Sequence, residues 1–268
     1  MNLIGIVIYN PDIKNLIDKI NYLITRYDII IVDNSEFDNS KKFDCFKLYY
    51  RKLKSNYGVA GGARVICKYA LIKKYSTITF FDQDTGFDLD NLIKTLDFFE
   101  NSNFEICYAN YSLNKKFVEE FSLSKTGIFS GTILKTTLFN KIGSYRSDFF
   151  MEGFDLEFSL RCYVNNIKAF KYKYWFINQT FGSGKIINLF NRKIPVDNHL
   201  PWRYFYRGRS LKKILLKYYL NSKSFSIIFK ITFAHTKMLL KVILFEELKL
   251  NKIKNYFFGL TFKNLYNE

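Results

Sequence analysis

The chain has 268 residues, of which 48% are hydrophobic, so its length and composition indicate a globular protein with a sizeable core and exclude a disordered chain. The formal net charge is +17, and residues 201–268 alone hold 14 Lys or Arg and 3 Glu, a net charge of +11. Such a basic balance predicts an anionic partner, and composition alone leaves nucleic acid and an anionic membrane surface as alternatives.

The cysteines and the N-terminus predict a cytoplasmic protein. The four cysteines are scattered without a CxxC pair, which argues against a structural zinc site and against a disulfide framework. The first residues, MNLIGIVIYNPD, lack the basic region and the small-residue cleavage site of a signal peptide. No run of eighteen uncharged apolar residues occurs in the sequence, so we expect no membrane span.

The first third of the chain alternates strands with helices. The segments with strand character are LIGIVIY, DIIIVDNS, FKLYYRK and TITFF. Between them, IKNLIDKINYLI has the apolar spacing of a helix, and GVAGGARVICKYALIKKY is a glycine-containing loop that runs into a second helix. Apolar strands separated by helices predict an α/β fold with a Rossmann-like, mostly parallel sheet flanked by helices.

Polar residues follow three of these strands. They are Tyr9, Asn10, Asp33, Asp82, Gln83 and Asp84. Ligands bind beyond the carboxyl ends of the strands in parallel sheets, and these residues fall at that edge. The sequence therefore predicts a ligand site there.

The pair Asp82 and Asp84 predicts a divalent metal ion. Two carboxylates that face one cleft repel each other, and Mg²⁺ or Mn²⁺ would cancel the repulsion while completing its shell with water and substrate phosphates. The alternative is an Asp-rich turn or the N-cap of the helix that starts near DLDNL. The DxDxT nucleophile of aspartyl-phosphate phosphatases is rejected, because Thr85 comes one place early and the strand is the fourth.

The segment NYGVAGGARV, residues 56–65, is a glycine-rich turn that enters a helix. The backbone of such a turn can approach a phosphate or a ribose. The candidate binding residues in this segment are Asn56, Gly58 and Arg64. It matches neither the dinucleotide-binding fingerprint nor the P-loop.

The segment FFMEGFDLEFSLR, residues 149–161, holds three acids, Glu152, Asp155 and Glu157. On a helix Asp155 and Glu157 point about 200° apart, so both cannot face one site. We expect one of them to be functional and the other to orient backbone or to pair with Arg161. The alternative is a helix N-terminus that is merely enriched in acids.

The remainder of the chain divides into a mixed segment and a basic helical segment. Residues 100–180 mix strands and helices, and from residue 201 the chain becomes helical, basic and aromatic. We expect one domain over residues 1–200 and a basic, aromatic helical extension over 201–268. The aromatic and basic residues of PWRYFYRGRSLKKILLKYYL are typical of an interfacial helix on anionic lipid.

Taken in order, these motifs resemble glycosyltransferase family 2, and more narrowly its bacterial rhamnosyltransferase-like branch. The resemblance covers about residues 3–210, and its most specific parts are FFDQDT and the D-x-E-x-x-x-R pattern that begins at Asp155. It implies that residues 1–200 form a GT-A domain that binds a nucleotide-sugar and carries the catalytic residues. The implied reaction is an inverting, metal-dependent transfer of rhamnose, galactofuranose or another hexose from a dTDP- or UDP-sugar. The implied acceptor is a saccharide hydroxyl, commonly on polyprenyl diphosphate, in the synthesis of O-antigen or capsule.

The resemblance also implies roles for individual residues. Asp33 would contact the nucleotide base or ribose, Asp82 would bind ribose or metal, and Asp84 would bind the Mg²⁺ or Mn²⁺ that bridges the donor's two phosphates. Asp155 aligns with the catalytic base that deprotonates the acceptor hydroxyl. Further donor contacts are expected from Tyr9, Asn10, Asn56, Gly58, Arg64 and Gln83. Contacts with the diphosphate or the acceptor are expected from Glu152, Glu157, Gln179, Arg203 and Arg207.

Two positions depart from the family pattern. Gln179, in the run QTFG, stands where the family often has the His of a His-Ser-x-Gly motif, and Arg64 stands where the glycine-rich loop often has Asn. These departures leave the use of a metal and the identity of the donor sugar open.

The basic extension would bring the enzyme to the inner face of the bacterial cytoplasmic membrane as a peripheral protein. Two alternatives remain. A basic nucleic-acid-binding protein would explain the charge, but no RNA- or DNA-binding motif occurs and the acidic segments would repel phosphate, so no nucleic-acid partner is expected. A non-catalytic GT-A-like scaffold would explain Gln179 and Arg64, but the intact Asp82, Asp84 and Asp155 argue against it.

Overall fold

The computed structural model describes residues 1–111, 119–179, 184–189 and 192–262. The chain divides into two compact units. Unit 1 comprises Met1–Phe150 and Phe154–Thr180, and unit 2 comprises Met151–Gly153 and Phe181–Glu268. The division into domains at residue 200 stays a prediction.

Unit 1 is built on one mixed sheet with helices on its faces. Its strands are β1 (Asn2–Ile8), β2 (Asp28–Asp33), β3 (Tyr49–Lys52), β4 (Thr77–Asp82), β5 (Gly86–Phe87), β6 (Ile106–Asn110), β7 (Phe121–Leu123), β8 (Ile133–Lys135) and β9 (Ala169–Asn178). Its helices are α1 (Ile13–Leu23), α2 (Gly58–Ile72), α3 (Leu89–Glu100), α4 (Leu138–Ile142) and α5 (Phe154–Val164). The predicted α/β architecture is confirmed.

The nine strands run in the order β3-β2-β1-β4-β8-β6-β9-β5, with β7 paired to β9. Strands β3, β2, β1 and β4 are parallel, and so is the pair β6 and β9. Strand β8 lies antiparallel between β4 and β6, and β5 and β7 pair antiparallel with β9. The parallel half therefore brings the ends of β1, β2 and β4 to one edge.

The buried apolar residues explain why these segments form the centre of the sheet. Every residue of β1 is buried, as are five of the six residues of β2. Helix α1 begins after Asp12, whose carboxylate accepts from the backbone N–H of Lys14, and it buries Leu16, Ile20 and Leu23 on one face. The position of β1 and β2 within the sheet follows from this burial on both faces.

The described part of unit 2 combines one antiparallel strand pair with three α-helices. The elements are β10 (Lys185–Leu189), β11 (Arg192–Val196), α6 (Pro201–Tyr218), α7 (Phe225–Phe245) and α8 (Lys249–Thr261). The helical structure expected after residue 201 is confirmed, and Pro201 occupies the first helical turn, where a missing N–H costs nothing. Within the described ranges, every helix is too short or too polar to cross a bilayer.

Helices α6 and α8 approach each other closely at two glycines. A Cβ atom added at Gly208 would collide with the carbonyl oxygen of Tyr256, and one added at Gly259 would collide with that of Phe205. The crossing therefore requires residues without side chains at these two positions. Nearby, the Lys252 ammonium donates to the Glu246 carboxylate at 2.8 Å in the interior of the unit.

We expect Gly259→Ala to lower the free energy of unfolding by about 1–2 kcal/mol. Because the added Cβ would meet backbone atoms, overpacking costs about 2–3 kcal/mol, the upper part of the usual range, and the better helix propensity of alanine offsets about 1 kcal/mol of that. Urea unfolding of the full chain measures the change. Lys254→Ala, at an exposed position of α8, is the control and should change the value by less than about 0.5 kcal/mol. Equal effects of the two variants would contradict the close crossing.

Candidate active site

The residues Asp82–Thr85 form a turn at the carboxyl end of β4, the DQD turn. Asp84 is exposed on this turn, and Asp82 is partly buried. The N-cap of the following helix α3 is Asp88, which accepts from the backbone N–H of Asn91 at 2.8 Å. Asp88 therefore caps α3, and the helix-capping alternative does not apply to Asp82 and Asp84.

A closed ring of hydrogen bonds holds the DQD turn. The Asp82 backbone N–H donates to Ser130 Oγ at 3.1 Å, and the Ser130 and Thr85 hydroxyls are 2.5 Å apart. The Thr85 hydroxyl donates to Gln179 Oε1 at 2.8 Å, and Gln179 Nε2 donates to Asp82 Oδ2 at 3.4 Å. Since Thr85 gives its only proton to Gln179, Ser130 must donate to Thr85. Gln179 thus presents a neutral donor to Asp82 while its own oxygen is engaged.

We expect Thr85→Val to lower the activity about 10- to 100-fold, because the ring that orients Gln179 and Asp82 loses its link. The measurement is kcat/KM for the donor, together with circular dichroism to show that the fold is kept. Thr95→Val is the matched control, since Thr95 is also fully buried but bonds only to the Asn91 carbonyl within α3. Wild-type kcat/KM in Thr85→Val would contradict a role for the ring.

Lys19 of α1 is a site residue that the sequence analysis missed. Its ammonium donates to the carbonyl oxygens of Gln83 at 2.8 Å and Asp82 at 3.4 Å. Burial lowers the pKa of Lys19 to about 8, although the charges of Asp84 and Asp82 oppose that decrease. At pH 7 the lysine therefore keeps its proton and supplies one positive charge beside the two aspartates. In the sequence it was one polar position of an amphipathic helix, without a motif to mark it.

The residues after β1 lie beside the DQD turn, as predicted. The Tyr9 backbone N–H donates to Gln83 Oε1 at 2.7 Å, and the Asn10 N–H donates to Ser35 Oγ at 2.7 Å. The Tyr9 hydroxyl donates to Glu36 Oε1 at 3.3 Å. The structure thus brings together the ends of β1, β2 and β4 at one edge.

Asp33 is fully buried at the end of β2, which the sequence did not show. Its carboxylate accepts from the Ser35 backbone N–H at 2.6 Å, from Asn39 Nδ2 at 3.0 Å and from the Tyr50 hydroxyl at 2.5 Å. Burial, and then the bond to Asp33, raise the pKa of Tyr50 well above its ordinary value. Asp33 therefore orders the loop that follows it, and a direct contact with a nucleotide stays a prediction that requires this loop to open.

The glycine-rich turn is tied to the end of β2. Asn34 Nδ2 donates to the Gly58 carbonyl at 3.1 Å, and the Tyr57 N–H donates to Asn34 Oδ1 at 2.9 Å. Asn56 Oδ1 accepts from the Gly58 N–H at 2.8 Å, where Gly58 has a φ of 70°. A side chain there would meet the Phe150 carbonyl, so glycine is required.

Arg64 lies within α2, six residues after Gly58. Its guanidinium donates to Ser147 Oγ at 3.1 Å, and it is exposed. The structure therefore places Arg64 beside Ser147, and its contact with a donor stays a prediction.

Asp155 and Glu157 take different positions on α5, as the helical spacing predicted. Asp155 lies in the first turn, is partly exposed, and accepts from the Leu156 N–H at 2.7 Å. Glu157 has no exposed surface and pairs with Arg161 at 2.9 Å. Glu157 is therefore the acid that pairs with Arg161, the structural one of the two roles expected for these acids. Its burial leaves it no surface for contact with a diphosphate or an acceptor in this conformation.

In unit 2, Glu152 joins two arginines. Its carboxylate accepts from Arg203 Nε at 2.6 Å and from Arg207 Nε at 3.2 Å. Burial raises the pKa of Glu152, but the two arginines more than offset it, so this pKa lies below its ordinary value. Burial and then the arginines lower the pKa of the adjacent His199 to about 4, so it is neutral at pH 7. The cluster therefore carries a net positive charge, which suits an anionic group.

The carboxylates of the DQD turn fit a metal ion only with help from a substrate. The described part of the chain contains no group of three or more His, Cys, Asp or Glu residues placed to hold one. Mg²⁺ and Mn²⁺, however, are often held by one or two carboxylates while phosphates and water complete the shell. Asp84, with Asp82 beside it, meets that smaller requirement, while the Gln179 amide oxygen accepts from the Thr85 hydroxyl.

The chain is similar to known proteins in sequence and in fold. No protein-family model matches the sequence. The dTDP-rhamnosyl transferase RfbF of Shigella flexneri is 28% identical over 241 residues, and the match covers 79% of each chain.

Solved structures of S. aureus TarS share the fold. Residues 1–349 of TarS in complex with UDP-GlcNAc match with a TM-score of 0.60 and 14% identity, over 97% of this chain and 79% of that one. Another structure of TarS 1–349 matches with a TM-score of 0.58 and 15% identity, over 97% and 81% of the two chains. Together with the sequence similarity, this agrees with the resemblance drawn from the motifs: the chain has the GT-A fold and is similar to the rhamnosyltransferase-like branch.

Proposed function

We propose that the chain is an inverting, metal-dependent glycosyltransferase, which transfers a hexose or deoxyhexose from a dTDP- or UDP-sugar to a saccharide hydroxyl. The observation that carries the proposal is the DQD turn, which is fixed by its hydrogen-bond ring beside the ends of β1 and β2. Both nucleotides are candidates, because the similar RfbF is named for a dTDP-sugar and a TarS structure contains UDP-GlcNAc.

In the proposed reaction Asp155 is the base. It takes the proton of the acceptor hydroxyl as that oxygen bonds to the anomeric carbon, and the bond from this carbon to the diphosphate oxygen breaks on the opposite side. The configuration at the anomeric carbon is therefore inverted. When bound, Mg²⁺ or Mn²⁺ would stabilise the negative charge that develops on the leaving diphosphate. Lys19 and Gln179 hold the DQD turn and Asp82 in place.

We further propose that the acceptor is a polyprenyl-diphosphate-linked saccharide on the cytoplasmic side of a bacterial membrane, in the synthesis of O-antigen or capsule. The positively charged cluster of Arg203, Arg207 and Glu152 supports an anionic acceptor, and the basic residues of unit 2 support an anionic membrane surface. The transferred sugar would be rhamnose, galactofuranose or another hexose.

Calorimetry and thermal-shift measurements with UDP, dTDP, GDP and CMP test the proposal. Each nucleotide is added with Mn²⁺, with Mg²⁺ or with EDTA. We expect UDP or dTDP to bind in the presence of metal and binding to weaken in EDTA. If none of the four binds, while a random oligonucleotide binds in a salt-sensitive way, the nucleic-acid alternative would replace the proposal.

A further inference from the structure

The basic aromatic segment that was expected to face a membrane is partly interior. In α6, Tyr204, Gly208, Leu211 and Ile214 are buried, and the helix packs closely against α8. The Tyr204 hydroxyl donates to Glu246 at 2.6 Å inside the unit. The composition of α6 therefore reflects the core of unit 2 as well as its surface.

Helix α7 instead exposes a face on which large apolar side chains predominate, with Ser226 and Thr236 as its exposed polar residues. One face of this helix is buried through Ile227, Ile228, Ile231 and Val242. The opposite face carries large apolar side chains that are 47–67% exposed, namely Phe225, Phe229, Phe233, Leu240, Ile243 and Leu244. With 100° between successive residues, these side chains fall within about 100° of one another over a length of about 29 Å.

Lysines line one side of this apolar face. Lys230, Lys237 and Lys241 project within about 40° of one another, directly beside Phe233 and Leu244. The Lys237 ammonium lies 4.6 Å from the centre of the Phe233 ring, so the charged and apolar surfaces are continuous. Between Phe225 and Phe245 the helix contains no Asp or Glu. Apolar residues beside lysines, without acids, form the surface of a helix that lies in the interface of an anionic bilayer.

We propose that the α7 face, defined by Phe225, Phe229, Phe233, Leu240, Ile243 and Leu244 with Lys230, Lys237 and Lys241, docks on an anionic lipid bilayer. The phenylalanines enter the headgroup region, while the lysines extend to the lipid phosphates. A second copy of the chain is a poorer occupant, because it would bring the same lysines against these. This proposal rests on the proposed function, because docking would bring the enzyme to its membrane-linked acceptor.

Vesicle flotation with the full chain tests the α7 face. The vesicles are phosphatidylcholine alone or phosphatidylcholine with 30 mol% phosphatidylglycerol, a composition chosen for the assay. We expect the protein to float with the anionic vesicles and to stay behind with the neutral ones. The triple variant Lys230→Gln, Lys237→Gln, Lys241→Gln should bind the anionic vesicles about 100-fold more weakly. The triple variant Phe229→Ser, Phe233→Ser, Leu240→Ser should lose binding as well.

Matched controls lie on unit 1. Lys68, Lys73 and Lys94 are exposed lysines, and their triple replacement by Gln removes the same charge without touching α7. Phe37→Ser removes an aromatic side chain that is 77% exposed. Both controls should float like the wild type, and circular dichroism should show that every variant is folded.

Three outcomes would overturn the proposal. The first is that the wild type fails to float with anionic vesicles. The second is that the Lys68, Lys73 and Lys94 variant loses as much binding as the Lys230, Lys237 and Lys241 variant. The third is that light scattering shows a dimer that the Phe229, Phe233 and Leu240 variant abolishes, which would assign the face to a second copy.

Nucleotide calorimetry on the same variants separates the two proposals, since loss of vesicle binding with intact nucleotide binding leaves the enzyme function untouched.

Discussion

Asp155→Asn is expected to lower kcat about 10³-fold while the Kd for the nucleoside diphosphate stays within about 2-fold of the wild type. Asp155 lies in the first turn of α5 with a partly exposed carboxylate, and its neighbour Glu157 is buried in an ion pair. The amide of asparagine has nearly the same shape but cannot accept the proton of the acceptor hydroxyl. Initial rates at saturating donor and acceptor give kcat, and calorimetry gives the Kd.

The control for Asp155 is Asp90→Asn. Asp90 is also an acid in the first turn of a helix of unit 1, and it is exposed on α3. We expect its replacement to leave kcat unchanged. A wild-type kcat in Asp155→Asn, or an equal loss in both variants, would assign the base to another residue.

Asp84→Asn is expected to weaken metal-dependent binding of UDP or dTDP about 100-fold, because the exposed carboxylate of the DQD turn is the main protein ligand available to the metal. The measurement is a calorimetric titration of the nucleotide in Mn²⁺ and in EDTA. In EDTA the variant and the wild type should bind equally weakly, since the aspartate then has no metal to hold.

Asp88→Asn is the control for Asp84. Asp88 lies four residues further along and caps α3, so its replacement tests the local helix without the metal. Because asparagine caps a helix about as well as aspartate, we expect no change in nucleotide affinity and at most a small change in stability. If the wild type binds the nucleotide equally well in EDTA, Lys19 supplies the positive charge that the metal was proposed to supply.

The central half of the fold could be predicted because its signals are local. Strands β1, β2 and β4 are apolar throughout, and their polar ends fall at one edge whenever such strands are parallel. For the same reason the DQD turn, Tyr9 and Gln83 were expected together, and they are. The separation of Asp155 from Glu157 followed from helical geometry alone.

The rest depended on contacts between distant parts of the chain. Strand β8 has three residues, which are too few to show the alternation of apolar and polar residues that predicts a strand. Its antiparallel insertion between β4 and β6 follows from tertiary packing. Gln179 and Thr85 are 94 positions apart, so their bond could not be read from either motif. The burial of Asp33 depends on Asn39 and Tyr50, which no spacing rule connects to it.

The most direct test of the central claim is the release of nucleoside diphosphate from a panel of dTDP- and UDP-sugars, followed by mass spectrometry with Mn²⁺ or with EDTA. We expect slow release from at least one donor without an acceptor, faster release with a saccharide acceptor, and loss of release in Asp84→Asn and in EDTA. Release that is equally fast in wild type, Asp84→Asn and Asp155→Asn, or no release from any donor, would contradict the assignment of the reaction to the DQD turn and Asp155.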